Sequence, residues 1–240
     1  MSTIRAFFQN FIILDYIIWV GSVAAIILSF FLCGSSDYIQ LAAALIGACS
    51  LILIAKGNVL GEFLGLIFAV FYGIVSFFYH YYGEMITYLC MSAPMAVAAI
   101  IAWFRHPFAG KKNEVEVNTL PAREYVIISI VSVVVTVAFY FILGALDTAN
   151  LIWSSVSVLT SCFAALLSMR RSPFYALAYA FNDIVLIVLW VLAMRENIEY
   201  VTMVVCFTVF LLNDLYGLFN WLKMRKRQAA TKISAQKEPI

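Results

Sequence analysis

Charge is what these 240 residues have least of: only 12% are Asp, Glu, Lys or Arg, against about a quarter in soluble domains. With 65% apolar residues beside so little charge, a water-soluble fold is excluded. Histidine is rarer still, at two. His106 has no catalytic partner in view, and His80 lies with Tyr79, Tyr81 and Tyr82 in what reads as an interfacial aromatic belt. The five cysteines, Cys33, Cys49, Cys90, Cys162 and Cys206, show no paired spacing, which excludes a disulfide framework or a Cys/His metal site and leaves them as small packers. No glycine-rich phosphate loop is present, so no cofactor is expected. The net charge of +2 is spread along the chain and points to no nucleic-acid partner. The cluster Lys223, Arg225, Lys226 and Arg227 reads as an anchor of the last helix against anionic lipid.

What is abundant is long apolar runs. A helix needs about 20 mostly apolar residues to cross about 30 Å of hydrocarbon, and eight segments meet that length: 11–32, 38–55, 59–79, 85–104, 125–143, 151–169, 174–194 and 200–222. Fourteen of the fifteen basic residues then fall in gaps that share one side, Arg195 being the exception. The bias of Lys and Arg toward cytoplasmic loops makes that side the inside, so both termini are predicted to be cytoplasmic. The first run is too long for a signal-peptide core and lacks a good cleavage site after it, so it is expected to remain as a helix. The loop 105–124 is predicted to form a short cytoplasmic strand or nothing ordered, and the tail beyond Arg227 to be disordered.

The chain also repeats itself weakly. Tyr82-Gly83-Glu84-Met85-Ile86-Thr87 matches Asn197-Ile198-Glu199-Tyr200-Val201-Thr202, and each opens a helix that closes on a tryptophan, Trp103 or Trp221. Tight inside turns precede both, Lys56-Gly57-Asn58 and Arg170-Arg171-Ser172-Pro173. The predicted fold is therefore an all-α polytopic membrane protein of eight transmembrane helices. Two parallel three-helix repeats, 37–104 and 150–222, are joined by a loop and linker helix at 105–149, with an extra N-terminal helix in 1–36 and a basic tail at 223–240. Transporters so built bind substrate between the halves near the midplane.

Polar residues inside spans are costly and face a bundle interior or a wet cavity. Asn182-Asp183 lies in the seventh span, and Trp190, seven residues beyond Asp183, shares its face. That pairing of carboxylate and indole suits an aromatic cation. In the eighth span Asn213 and Thr208 are pocket candidates, while Asp214, beside Tyr216-Gly217, is expected either to ion-pair with Arg170 or Arg171 or to face the pocket. Tyr72, Ser76 and Tyr79, with Tyr88, Ser92 and Met95, form stripes for the opposite wall. Pro94 is expected to loosen the fourth helix. Glu62 reads as a helix N-terminal or snorkelling residue, Asp15 as a packing or interfacial one, and Ser154, Ser155 and Ser168 as helix-packing residues.

The pattern Phe63-Leu64-Gly65-Leu66-Ile67 leading to Tyr72-Gly73, then Tyr82-Gly83-Glu84-Met85 with Pro94-Met95, Trp153-Ser154-Ser155, and Asn182-Asp183 through Trp190 to Asn213-Asp214-x-Tyr216-Gly217-x-x-x-Trp221 resembles the PnuC vitamin transporters. The likeness covers the chain from about Tyr38 onward. It implies SWEET-like architecture, a bacterial inner-membrane location, a trimer among the oligomers to be expected, and facilitated diffusion of a vitamin that is trapped by phosphorylation inside. It adds Trp153 to the site, which then comprises Tyr72, Ser76, Tyr88, Ser92, Trp153, Asn182, Asp183, Trp190, Thr208 and Asn213. The chain departs from much of the family in its first helix and in a fourth span ending Ala98-Ala99-Ile100-Ile101-Ala102-Trp103. Nicotinamide riboside and thiamine both carry a fixed positive charge on an aromatic ring, which Trp190 and Asp183 would favour. The riboside ranks first, thiamine second and another nucleoside-like compound third. The competing class is a membrane enzyme or assembly subunit, which should show a convergent acid, base or metal set at one depth. The sequence offers only Asp183 deep in the membrane.

Overall fold

The computed structural model describes residues 11–34, 37–78, 82–110, 114–148, 150–195 and 198–237, and within them all side chains except those of residues 75, 76, 78, 110, 199 and 235–237. These residues form eight helices: α1 (Ile13–Leu32), α2 (Tyr38–Ala55), α3 (Val59–Phe78), α4 (Tyr82–Arg105), α5 (Ala122–Ala145), α6 (Leu151–Met169), α7 (Tyr175–Met194) and α8 (Val201–Lys237). Seven of them are long and apolar enough to cross a membrane. In α3 the apolar segment comprises Val59–Ile74.

Local chemistry sets the helix ends. Asp37 caps α2 by accepting from the Ile39 and Gln40 amides at 3.1 and 2.9 Å. The turn into α3 takes Gly57 at φ +68°, and Asn58 then caps it through the Leu60 amide at 3.0 Å. The α2/α3 hairpin closes on Gly61, where a Cβ would lie 2.5 Å from the Ile54 amide nitrogen. Pro94 lacks an N–H for the preceding turn, and α4 answers with a π-helical stretch at Thr87–Ser92, in which the Ala93 amide reaches back to the Tyr88 carbonyl.

Helix α8 packs on α7, α2 and α1; α2 also packs on α3, α3 on α4, α4 on α6, and α6 on both α7 and α5. Much of α5 faces outward, with Val126, Ile130, Val134, Val137 and Phe141 more than half exposed. At one end of the bundle Trp103 and Trp221 are buried with ring centroids 5.3 Å apart. Trp103, ending α4, donates its indole N–H to the Ser168 carbonyl at the end of α6 (2.9 Å), and Trp221 of α8 donates to the Ile54 carbonyl at the end of α2 (2.8 Å).

Two expectations about the polar segments are overturned here. The tail is helical as far as Lys237, because Met224 and Gln228 are buried against the loop 114–120. That loop is an extended strap. Its Val115 amide donates to the Gly57 carbonyl (3.0 Å), its Val117 amide to Gln228 Oε1 (2.8 Å) and its Asn118 amide to the Arg171 carbonyl (3.0 Å). Gln228 Nε2 donates in turn to Glu114 Oε1 and the Val115 carbonyl, and Glu114 and Glu116 form ion pairs with Arg227 and Lys232.

Of its two readings Asp15 takes the packing one, being fully buried. It pairs with Lys56 at 2.6 Å and accepts from the Ile12 amide (2.6 Å) and the Tyr216 hydroxyl. With Asn213 Nδ2 on Ser22 Oγ (2.8 Å) and Trp19 Nε1 on Cys49 Sγ (3.3 Å), these contacts fasten α1 to α2 and α8.

Candidate functional site

Each helix around the bundle centre presents a polar stripe at helical spacing. Helix α3 supplies Glu62, Gly65, Ala69 and Tyr72; α6 supplies Ser154, Ser157, Ser161, Ala165 and Ser168; α7 supplies Tyr175, Tyr179, Asn182, Asp183, Leu186 and Trp190. Steps of three and four residues keep each set on one face. The stripes converge with α2, α4 and α8 on a cavity of about 250 Å³.

Six of the residues expected from the sequence meet there: Tyr72, Tyr88, Ser92, Asn182, Asp183 and Trp190. The π-helical stretch brings Tyr88 to 4.7 Å from Tyr72, centroid to centroid, and Phe68 stacks on Tyr72 at 5.7 Å. Trp190 lies tilted against Tyr200 at 5.4 Å. Asp183 is 4% exposed, and its Oδ2 has no hydrogen-bond partner among the described residues. Asp214 of α8, also buried, lies beside it. Asn182 Oδ1 accepts from Ser157 Oγ at 3.1 Å and Thr160 Oγ1 at 2.9 Å.

Three expected residues lie elsewhere. Trp153 sits at the start of α6 and is 42% exposed; its neighbour Ser154 takes the cavity position. Thr208 is exposed and donates to the Val204 carbonyl on its own helix at 2.7 Å. Asn213 is 1% exposed and turned toward α1, bonding Ser22 and the Val209 carbonyl. The side chain of Ser76 lies outside the described residues.

Several readings of single residues change. Asp214 makes no ion pair with the arginines: Arg170 pairs with Glu124 at 2.6 Å, and Asp214 is buried against Asp183. Asp183 is therefore not the only deep carboxylate. Glu62 is 7% exposed, lines the cavity and accepts from Ser168 Oγ at 2.6 Å. Ser154 and Ser168 line the cavity as well, rather than only packing helices. Glu62, Glu84, Ser157, Ser161, Tyr175 and Tyr179 were not expected in the site. The spacing of Glu62, Gly65, Ala69 and Tyr72 was the available signal, obscured because Glu62 opens its span. The lining is acidic and aromatic, and among the described residues it holds no Lys, Arg or His. Such a wall favours a cation with a flat ring and disfavours an anion.

The family described as nicotinamide mononucleotide transporter matches residues 37–223. The nicotinamide riboside transporter PnuC of Neisseria mucosa is 27% identical over 203 residues, which cover 83% of this chain and 77% of that one. Its namesake in Haemophilus influenzae is 25% identical over 192 residues, covering 80% and 82%. A solved vitamin B3 transporter PnuC has the same fold, with a TM-score of 0.80 at 24% identity over 94% of this chain and 97% of that one. With the family pattern extending from the start of α2 into α8, this chain belongs to the nicotinamide mononucleotide transporter family and is a multi-span membrane transporter.

Proposed function

We propose that the chain carries nicotinamide riboside across a bacterial cytoplasmic membrane by facilitated diffusion, with accumulation coming from phosphorylation of the vitamin inside. The observation that carries this reading is the lining of the central cavity, where Asp183, Glu62 and Glu84 stand among tyrosines and Trp190 with no basic residue among the described ones. A pyridinium riboside brings one positive charge and a flat ring. The acidic groups of the lining, Asp183 among them, are placed to meet that charge. Nicotinamide mononucleotide would add a phosphate of roughly −1.5 to −2 charges to the same acidic wall, which argues for the riboside although the family is described by the mononucleotide. The two relatives are named for the riboside. Thiamine, also a ring cation, is the second candidate.

The architecture behind this reading is eight spans, α3 included, with residues 37–104 and 150–222 as parallel three-helix repeats and α5 between them. The crossed tryptophan bonds support it: each candidate repeat ends on an indole that donates to the end of the other's first helix. Both termini are placed in the cytoplasm. In support, Lys56, Arg170, Arg171, Arg227 and Lys232 gather at one end of the bundle, around the strap.

The neighbouring buried carboxyls Asp183 and Asp214 favour a second reading, proton-linked transport, since ionisable groups inside the spans are what such coupling needs. Proteoliposomes with nothing inside to trap substrate separate the two. Labelled nicotinamide riboside is expected to reach the outside concentration and stop. Accumulation above it under an imposed proton gradient, abolished in Asp183→Asn, would establish coupling instead.

A further inference from the structure

The amide of Asn182 is oriented from the neighbouring helix. Its Oδ1 has two hydroxyls within reach, both on α6, and they are not equivalent. Thr160 Oγ1 also lies within reach of the Val156 carbonyl at 3.0 Å and the Ser157 carbonyl at 3.1 Å, so its single proton has three acceptors to choose from. Ser157 Oγ has one acceptor among the described residues, Asn182 Oδ1 at 3.1 Å. A flipped amide would turn Nδ2 toward Ser157 and strand the serine proton in a water-poor wall, a cost that selects the observed orientation. With Oδ1 committed to α6, Nδ2 makes no hydrogen bond within the described protein and borders the cavity. The amide therefore faces the ligand as a donor, next to Asp183, whose free Oδ2 is an acceptor.

We propose that Ser157 is a positioning residue for substrate recognition: by holding Asn182 Oδ1 it presents the Asn182 NH2 group to an acceptor oxygen of the substrate. The inference rests on the riboside reading above. It divides the labour between adjacent residues, Asp183 answering the positive charge and Asn182 an uncharged oxygen on the same molecule. A ring cation without a suitably placed oxygen would satisfy Asp183 and leave the Asn182 donor unpaired, which is how a buried polar group rejects an analogue.

Titration calorimetry of the purified full-length protein with nicotinamide riboside tests this. Ser157→Ala is expected to raise Kd about tenfold, and Ser157→Thr, which keeps the hydroxyl, to stay within about twofold of wild type. In an Asn182→Ala background, Ser157→Ala should change nothing further. A helix-packing role for Ser157 would instead give the same loss in both backgrounds and overturn the proposal. Asn182→Asp keeps the Ser157 bond, replaces the donor with an acceptor and adds negative charge. Weaker binding of the cation by Asn182→Asp is expected, and equal or tighter binding would overturn the proposal, because charge alone would then suffice. Failure of the wild type to bind nicotinamide riboside sinks the riboside reading separately, and the same cycle is then run with thiamine. A wild type that binds neither overturns both.

Discussion

Lys56→Met is the most informative single perturbation of the scaffold. Asp15 is fully buried and its charge is met by Lys56 at 2.6 Å, with two hydrogen bonds from the Ile12 amide and Tyr216. Removing the lysine leaves an uncompensated buried carboxylate, at a cost of about 3–5 kcal/mol. The reverse change is milder. In Asp15→Asn the ammonium, whose side chain is already 13% exposed, swings toward the interface and rehydrates, and the cost falls to about 1–2 kcal/mol for the weakened hydrogen bonds. The double variant should resemble Asp15→Asn alone, since the stranded charge is gone. At roughly 2–4 °C per kcal/mol for a chain of this size, Lys56→Met should lower the melting temperature by about 6–20 °C. Fluorescence-detected size-exclusion chromatography after a heat step, in a mild detergent, reads all three variants. A Lys56→Met protein that melts with the wild type would mean that Asp15 is neutral or hydrated, and the account of how α1 is fastened would fail.

Further outcomes follow from the site and the strap. A cysteine at Asp147 should react with an impermeant thiol reagent applied outside intact cells and one at Ala229 should not; the opposite pattern would invert the topology. Trp190→Ala should weaken substrate binding by about 1–3 kcal/mol with normal membrane insertion, and unchanged affinity would reassign the indole to packing against Tyr200. Lys232, hydrogen-bonded to Glu116, holds that carboxyl below its ordinary range, with Arg171 adding to the effect. A depressed value in the folded state means that the tie is at full strength above the ordinary glutamate pKa and is lost as pH falls through the folded value. A spin label at Thr119 should therefore gain mobility in that acid window, and Glu116→Gln should make its mobility independent of pH there.

The membrane made the helices legible: its thickness dictates their length, and the predicted ends of 38–55 and 151–169 coincide with those of α2 and α6. The face carrying Asn182, Asp183 and Trp190 was legible for a similar reason, because helical spacing alone puts them together. What a single helix cannot reveal is its partner. For Asp214 the sequence leaves the choice between the nearby arginines and the pocket, whereas the group beside it is a buried carboxyl on α7. Asn213 looked like a pocket residue because it is polar in mid-span, yet its partner Ser22 is on α1, 191 residues away, as is Asp15, the partner of Tyr216, 201 residues away. The tail failed for the opposite reason. Residues 228–237 are polar enough to read as disorder, and only the strap, with Glu114 lying 114 residues from Gln228, gives their helix something to rest on.

The crossed tryptophans have a kinetic meaning. Trp103 and Trp221 touch each other, and each is bonded to a helix end belonging to the opposite group of three, next to the inner floor of the cavity formed by Glu62, Ile54 and Ser168. Three helix ends and the middle of α8 thus form a closed circuit. Loosening one link leaves the other holding the same two groups together, so the circuit opens all at once or not at all. A floor of this kind behaves as a switch rather than a spring. Its links are two indoles and two backbone carbonyls, and one of those carbonyls belongs to Ser168 of the cavity's α6 stripe, so the speed of carriage and the choice of cargo are tied together at that residue.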